Sequence, residues 1–183
     1  MKNSEHPTFR FIRGQGDLDG ACLLYALFNA RQALTRTRLT HDAWKRAIKD
    51  LHDANAFLDS TRGSEETDSD SEAERMLAET FINALAPEVK LQVRTLKNMK
   101  NGSLGKMSPD QNSVIVCSNP QHWFCIVESN DTNAFVACSW VWQRDLNTYS
   151  ERISPELDRV FNEVLSLEDL EFFNARALIV CLS

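Results

Sequence analysis

The chain of 183 residues holds no apolar run approaching the roughly 18 residues that a membrane span requires, so a spanning helix is excluded and no membrane partner is expected. It has no surplus of positive charge either. Its 20 Lys and Arg face 26 Asp and Glu, a formal net charge of −6, which disfavours a phosphate backbone or an anionic surface and so argues against nucleic acid. No two of its five cysteines stand in C-x-x-C spacing, and His41, His52 and Cys22 are too scattered to make a zinc-ligand set. No metal and no cofactor is expected. Gly102-Ser103-Leu104-Gly105-Lys106 lacks the Ser or Thr of a phosphate loop, with Met107 in that place, and reads as a turn. Cys22, Cys117, Cys125, Cys138 and Cys181 are odd in number and lie mostly inside apolar runs. The polar start Met1-Lys2-Asn3-Ser4-Glu5 is not a secretory leader, and both features point to a reducing, cytoplasmic setting.

What is present suffices for one sizeable core. With 43% hydrophobic residues, the expected organisation is one domain over residues 1–183. Phe9 to Arg13 reads as an extended lead-in. The stretch from about Gly20 to Leu34 is apolar nearly all round, as a helix in the centre of a domain is. Thr40 caps a second helix expected over about His41 to Leu58, with Trp44, Ile48, Leu51 and Leu58 at helical steps. Residues 59–74 carry like charges and no large apolar side chain, and are expected to form a mobile acidic loop. Ser71 and Glu74 have capping-box spacing for a third helix that ends near Leu85, ahead of Pro87.

Beyond that point the period changes to two. Val89–Leu96 and Ser113–Cys117 read as strands, and residues 122–128 and 134–140, joined by Ser129-Asn130-Asp131-Thr132-Asn133, read as a hairpin. Helices are expected to start at Ser154-Pro155-Glu156 and at Ser166, with a last strand over Ala177–Cys181. Helices first and an antiparallel sheet afterwards define an α+β class. Trp44, Phe57, Phe161, Phe172 and Phe173 are assigned to the core.

Chemistry concentrates at Cys22. It follows the turn-rich run Gln15-Gly16-Asp17-Leu18-Asp19-Gly20-Ala21 and so falls in the first turn of the central helix. Unpaired N–H groups and the positive end of the helix dipole favour a thiolate there, the nucleophilic form. A thiol nucleophile needs a base held on a rigid element, and His122, opening the hairpin beside Trp123, is the candidate. His6 lies near the chain start, and His41 and His52 fall on the polar face of the second helix. Gln15 can offer a side-chain N–H to a developing oxyanion, with the backbone N–H of Cys22.

These residues together resemble the papain-like cysteine peptidase fold and its bacterial relatives: Gln-Gly, then Gly-x-Cys at a helix start, a late His on a strand, and Ser139-Trp140 after the next strand. The resemblance implies Gln15 in the oxyanion hole, Cys22 as nucleophile and His122 as general base and acid. It also implies a His-orienting or covering group within Cys138-Ser139-Trp140. Cys138 stands sixteen residues after His122 (138 − 122), the family's His-to-Asn spacing. Three departures accompany it. Leu23 follows the nucleophile, the step from Gln15 to Cys22 is one residue longer than in the family, and a weakly bonding thiol occupies the orienting position. The third member is then absent, supplied by Ser139 or by a backbone carbonyl, or brought from elsewhere.

The expected function is a cysteine-dependent hydrolase, a thiol peptidase or isopeptidase acting on a protein or peptide substrate through a thioester. Deamidation or acyl transfer at the same Cys–His pair is one alternative. A degenerate papain-like fold kept as a protein-binding module is another. Neither substrate specificity nor oligomeric state is fixed by these residues.

Overall fold

Polar residues inside an otherwise apolar helix need partners, and those partners organise this fold. The computed structural model describes residues 12–13, 21–51, 54, 71–96, 112–118, 122–139, 160–168, 170 and 177–183. Helix α1 (Cys22–Thr35) is buried at every position from Leu23 to Ala33, as the central helix expected from the sequence must be. It starts at Cys22 and stops where Arg36 turns left-handed (φ 51°, ψ 28°), a conformation that ends helices. Three of its buried residues are polar. Asn29 holds residue 13, Gln32 accepts the Leu39 N–H at 2.8 Å, and Arg31 is fully buried.

Arg31 reaches the carboxyl end of helix α3 (Ser71–Leu85), where Pro87 offers no N–H to continue the ladder. Its guanidinium donates to the carbonyl oxygens of Ile82 at 3.1 Å, Val89 at 2.9 Å and Ala86. A cation is thus set against the negative end of a helix dipole, bonding one carbonyl of the last turn and two just beyond it. Burial lowers the Arg31 pKa and Glu88 opposes that shift, but a guanidinium stays charged in a protein.

Helix α2 (His41–Lys49) is capped as expected, Thr40 Oγ1 accepting the Ala43 N–H at 3.2 Å. It ends well before Leu58. Its last turn tightens, with the Leu51 N–H bonded to Ile48 at 3.2 Å, and Leu51 turns into the core. α3 begins at Ser71 itself, so the expected acidic loop gives up residues 71–74 to the helix. Glu74 is buried in its first turn. Residues 59–70 lie outside the described residues, as do the expected helix at Ser154 and the expected turn at Gly102–Lys106.

Six strands make one sheet: β1 (Leu91–Thr95), β2 (Ser113–Ser118), β3 (Trp123–Ser129), β4 (Asn133–Ala137), β5 (Glu163–Ser166) and β6 (Ala177–Leu182). Their order is β1-β6-β2-β3-β4-β5, with every neighbouring pair antiparallel. The architecture is α+β, three helices with a six-stranded antiparallel sheet. The hairpin turn is closed by Asn130 Oδ1, which accepts the N–H groups of Thr132 and Asn133 at 3.0 and 2.8 Å. Ser166, expected to start a helix, instead ends β5. Leu167 N–H still pairs with Thr132 at 2.8 Å, and Ser166 Oγ accepts from Glu168 N–H in a turn.

Alternation divides the sheet. Val93, Val116, Trp123, Cys125, Phe135 and Val180 pack toward the helices with Leu24, Phe28, Phe81 and Phe161, and Trp44 stands at the centre with rings of Tyr25, Phe28 and Phe81 about it. Ile115, Cys117, Phe124, Ile126, Val136 and Cys138 form a second apolar cluster, joined by Leu170.

At the sheet's β1 side, Lys90 and Leu96 bond across to β6, so Leu91, Val93 and Thr95 turn their peptide groups to the outer edge. Asn83 of α3 takes both groups of Leu91 at 2.9 Å each, and Arg75 donates to the Val93 carbonyl at 3.4 Å. Helix α3 therefore occupies part of the edge that a free strand would use.

Replacing Arg31 with Met keeps much of the volume and removes the guanidinium donor from all three carbonyls, of which that of Ala86 also accepts the Val89 N–H. The expected loss is about 3–5 kcal/mol in urea-unfolding free energy. A loss below about 1 kcal/mol would show that water or a neighbouring group takes over.

Candidate functional site

His122 stands immediately before β3 and is 4% exposed. Its Nε2 lies 3.4 Å from Ser139 Oγ, just beyond the end of β4, so the β3–β4 hairpin carries both partners. A contact of that length is weak, and catalytic hydrogen bonds are often long before substrate arrives. With Nε2 turned to Ser139, Nδ1 is the ring's other nitrogen. Burial pushes the His122 pKa down to about 4. At neutral pH the ring is therefore an uncharged base.

Cys138 and Ser139, both considered for the orienting position, part company. Cys138 belongs to the apolar cluster on the sheet face away from the helices, because alternation along β4 sends it there with Ala134 and Val136. Its neighbour Ser139 meets the imidazole. The sixteen-residue spacing thus lands one residue short of the group that touches the ring. Trp140 lies outside the described residues.

Cys22 is the first residue of α1 and is partly buried against the cluster that also contains Trp123, the residue after His122. The helix cap is Ala21, which has no side-chain acceptor, and the first turn holds no acidic residue. Nothing from the cap side chain or the first turn's side chains competes for an anion at that helix end. α1 packs across β3 and β2, so the helix bearing the thiol and the strand introduced by the histidine share one interface.

Gln15 lies outside the described residues, but residue 13 just before it is held firmly. Arg13 N–H donates to Asn29 Oδ1 at 2.8 Å, and Asn29 Nδ2 donates to the Arg13 carbonyl at 3.3 Å. The guanidinium lies 4.6 Å from the Trp44 ring centre and 5.3 Å from that of Phe28, and it meets His41 Nδ1 at 3.1 Å. Asn29 is seven residues along α1 from Cys22, about 10 Å of helix rise. Residue 13 is therefore tied to α1 at Asn29.

Sequence reasoning passed over Asn162. This buried residue accepts the Cys138 N–H with Oδ1 and donates to the Cys138 carbonyl with Nδ2, both at 2.8 Å, while its own N–H donates to Val136 at 3.0 Å. Only its position between the apolar residues Phe161 and Val164 signalled that it would need a buried partner. Among the described residues, no group of three or more His, Cys, Asp or Glu is arranged to hold a metal, and no helix is long and apolar enough to cross a membrane. Compared with known protein families, with curated proteins and with solved structures, the chain finds no significant match.

All five cysteines are free, and Cys117, Cys125 and Cys138 are buried while Cys22 and Cys181 are partly accessible. Burial also raises the pKa of Cys117 and Cys125. Native protein is expected to take up alkylating reagent at two sites, Cys22 and Cys181, and at all five once unfolded, as intact mass will show. Rapid native labelling of Cys138 would contradict the packing behind β4.

The unfolded chain's imidazole binds its proton near the ordinary value of 6.5, the folded one only near 4. The contribution of neutral His122 is therefore fully present above about pH 6.5 and is lost as pH falls toward 4, amounting to about 3 kcal/mol. Urea unfolding of the wild type and His122→Gln at about pH 7 and about pH 4.5 should show the steeper acid loss in the wild type. Equal slopes would mean that the ring accepts its proton in place.

Proposed function

We propose that the chain is a cysteine-dependent hydrolase of papain-like type, cleaving a peptide or isopeptide amide with Cys22 as nucleophile and His122 as base. One observation carries this reading. The thiol begins the buried helix α1, and that helix packs against the strand introduced by a buried, neutral histidine whose Nε2 is engaged by Ser139. Three helices followed by a six-stranded antiparallel sheet are compatible with a papain-like arrangement.

In the proposed reaction, His122 takes the Cys22 proton through Nδ1 and the sulfur attacks the substrate carbonyl. The oxyanion is received by the Cys22 backbone N–H, with Gln15 as the side-chain donor implied by the resemblance. Collapse breaks the C–N bond as His122 protonates the departing amine, and water then hydrolyses the thioester with His122 again as base. Ser139 takes the orienting role in place of an Asn, and its hydroxyl can donate or accept as the ring's tautomer requires. Deamidation or acyl transfer differs from this only in the leaving group or the acceptor.

A second reading, a protein-binding module on a degenerate site, is favoured by the depth of His122 and by the turning of Cys138 away from it. The two readings diverge at the thiol. In the hydrolase, iodoacetamide modifies Cys22 at least about tenfold faster than Cys181, and His122→Ala removes most of that advantage, as peptide mass spectrometry will resolve. If Cys22 reacts no faster than Cys181, the catalytic reading is wrong and the binding module stands.

A further inference from the structure

Ser139 follows the last residues of β4, and where its hydroxyl meets the His122 ring depends on how the chain is held as it leaves that strand. The preceding residue is held from outside the hairpin. Asn162, 24 residues further along the chain, closes a two-bond ring with the Cys138 peptide groups, and its own N–H is fixed to Val136. The carboxamide stands where a neighbouring strand's peptide would stand, and so extends the sheet by one residue just as the chain leaves it. Cys138 is pinned from the other side as well, by packing in the apolar cluster with Ile115, Phe124 and Val136. Cys138 is thus held through both backbone and side chain, one residue before Ser139.

We propose that Asn162 is a positioning residue of the His122 site, acting through the Cys138 backbone to hold Ser139 Oγ against His122 Nε2. This rests on the reading of His122 as the base of the site, but its geometric content can be tested separately. The carboxamide touches no reacting atom. Both of its polar ends are used: an acid in its place turns a carboxylate toward the Cys138 carbonyl, and a small apolar residue removes both bonds.

The test uses the full chain with its histidines labelled with nitrogen-15, reading the His122 Nε2 resonance in the wild type, Asn162→Ala, Ser139→Ala and the double variant. Asn162→Asp serves as the second single variant should Asn162→Ala not fold. If Asn162 works through Ser139, either Asn162 variant moves the Nε2 resonance by at least about half of the shift caused by Ser139→Ala. Adding the Asn162 change to Ser139→Ala then moves it no further. A general loosening of the fold would instead add its full effect in the Ser139→Ala background. That result, or an unmoved Nε2 resonance, overturns the proposal. Cys22 alkylation is measured alongside. Asn162→Ala is expected to slow it severalfold, and Asn162→Ala with His122→Ala to be no slower than His122→Ala alone. Should His122→Ala leave Cys22 alkylation unchanged, the hydrolase reading fails, while the Nε2 resonance still decides whether Asn162 positions the ring.

Discussion

The buried cation Arg31 joins the central helix α1 to the end of α3. It projects from the most buried helix into the carboxyl end of α3 and binds three carbonyl oxygens, one in the last turn of the helix and two just beyond it. Desolvating a guanidinium is costly, and the carbonyls and the helix dipole offset that cost only in one relative placement of α1 and α3. Apolar packing alone tolerates sliding; this arrangement does not. The same helix α1 carries Cys22 at its start and packs across β3 and β2.

The same logic recurs at smaller scale in three asparagines. Asn29 binds both peptide groups of residue 13, Asn83 both of Leu91, and Asn162 both of Cys138. Each carboxamide substitutes for a peptide at a place where chain leaves or joins regular structure. Together they fix the approach to α1, the start of β1 and the exit of β4. Two of those junctions flank groups with chemical potential, the segment before Cys22 and the hydroxyl beside His122. In each case a side chain, not a strand neighbour, holds the backbone at the junction.

The sequence made the element types legible wherever periodicity was strong. The unbroken apolar character of residues 22–34 marked a central helix, and alternation in Leu91–Thr95 and the apolar runs about Asn130 marked strands that the structure contains. Boundaries set by single turns were less visible. α2 stops at Lys49 because Leu51 folds inward, and β5 is four residues long and overlaps a serine that resembles a helix cap. For the candidate site, the sequence singled out Cys22, His122 and the region of residues 138–140. It did not tell Cys138 from Ser139, since that depends on which face of the sheet each side chain takes at the end of β4. Asn162, Arg31 and Asn29 stayed invisible for a common reason. Their partners are backbone groups, which every residue possesses and no composition betrays.

The outer edge of β1 has one more implication. A sheet margin with exposed peptide groups is a template on which another extended chain, including a second molecule of the same protein, can crystallise residue by residue. Here α3 lends Asn83 and Arg75 to that margin, so an incoming strand would have to displace a carboxamide making two bonds and a guanidinium also tied to Glu72 and Glu79. Polymerisation along Leu91 and Val93 therefore competes with α3, and the helix that Arg31 anchors doubles as a guard over that part of the margin.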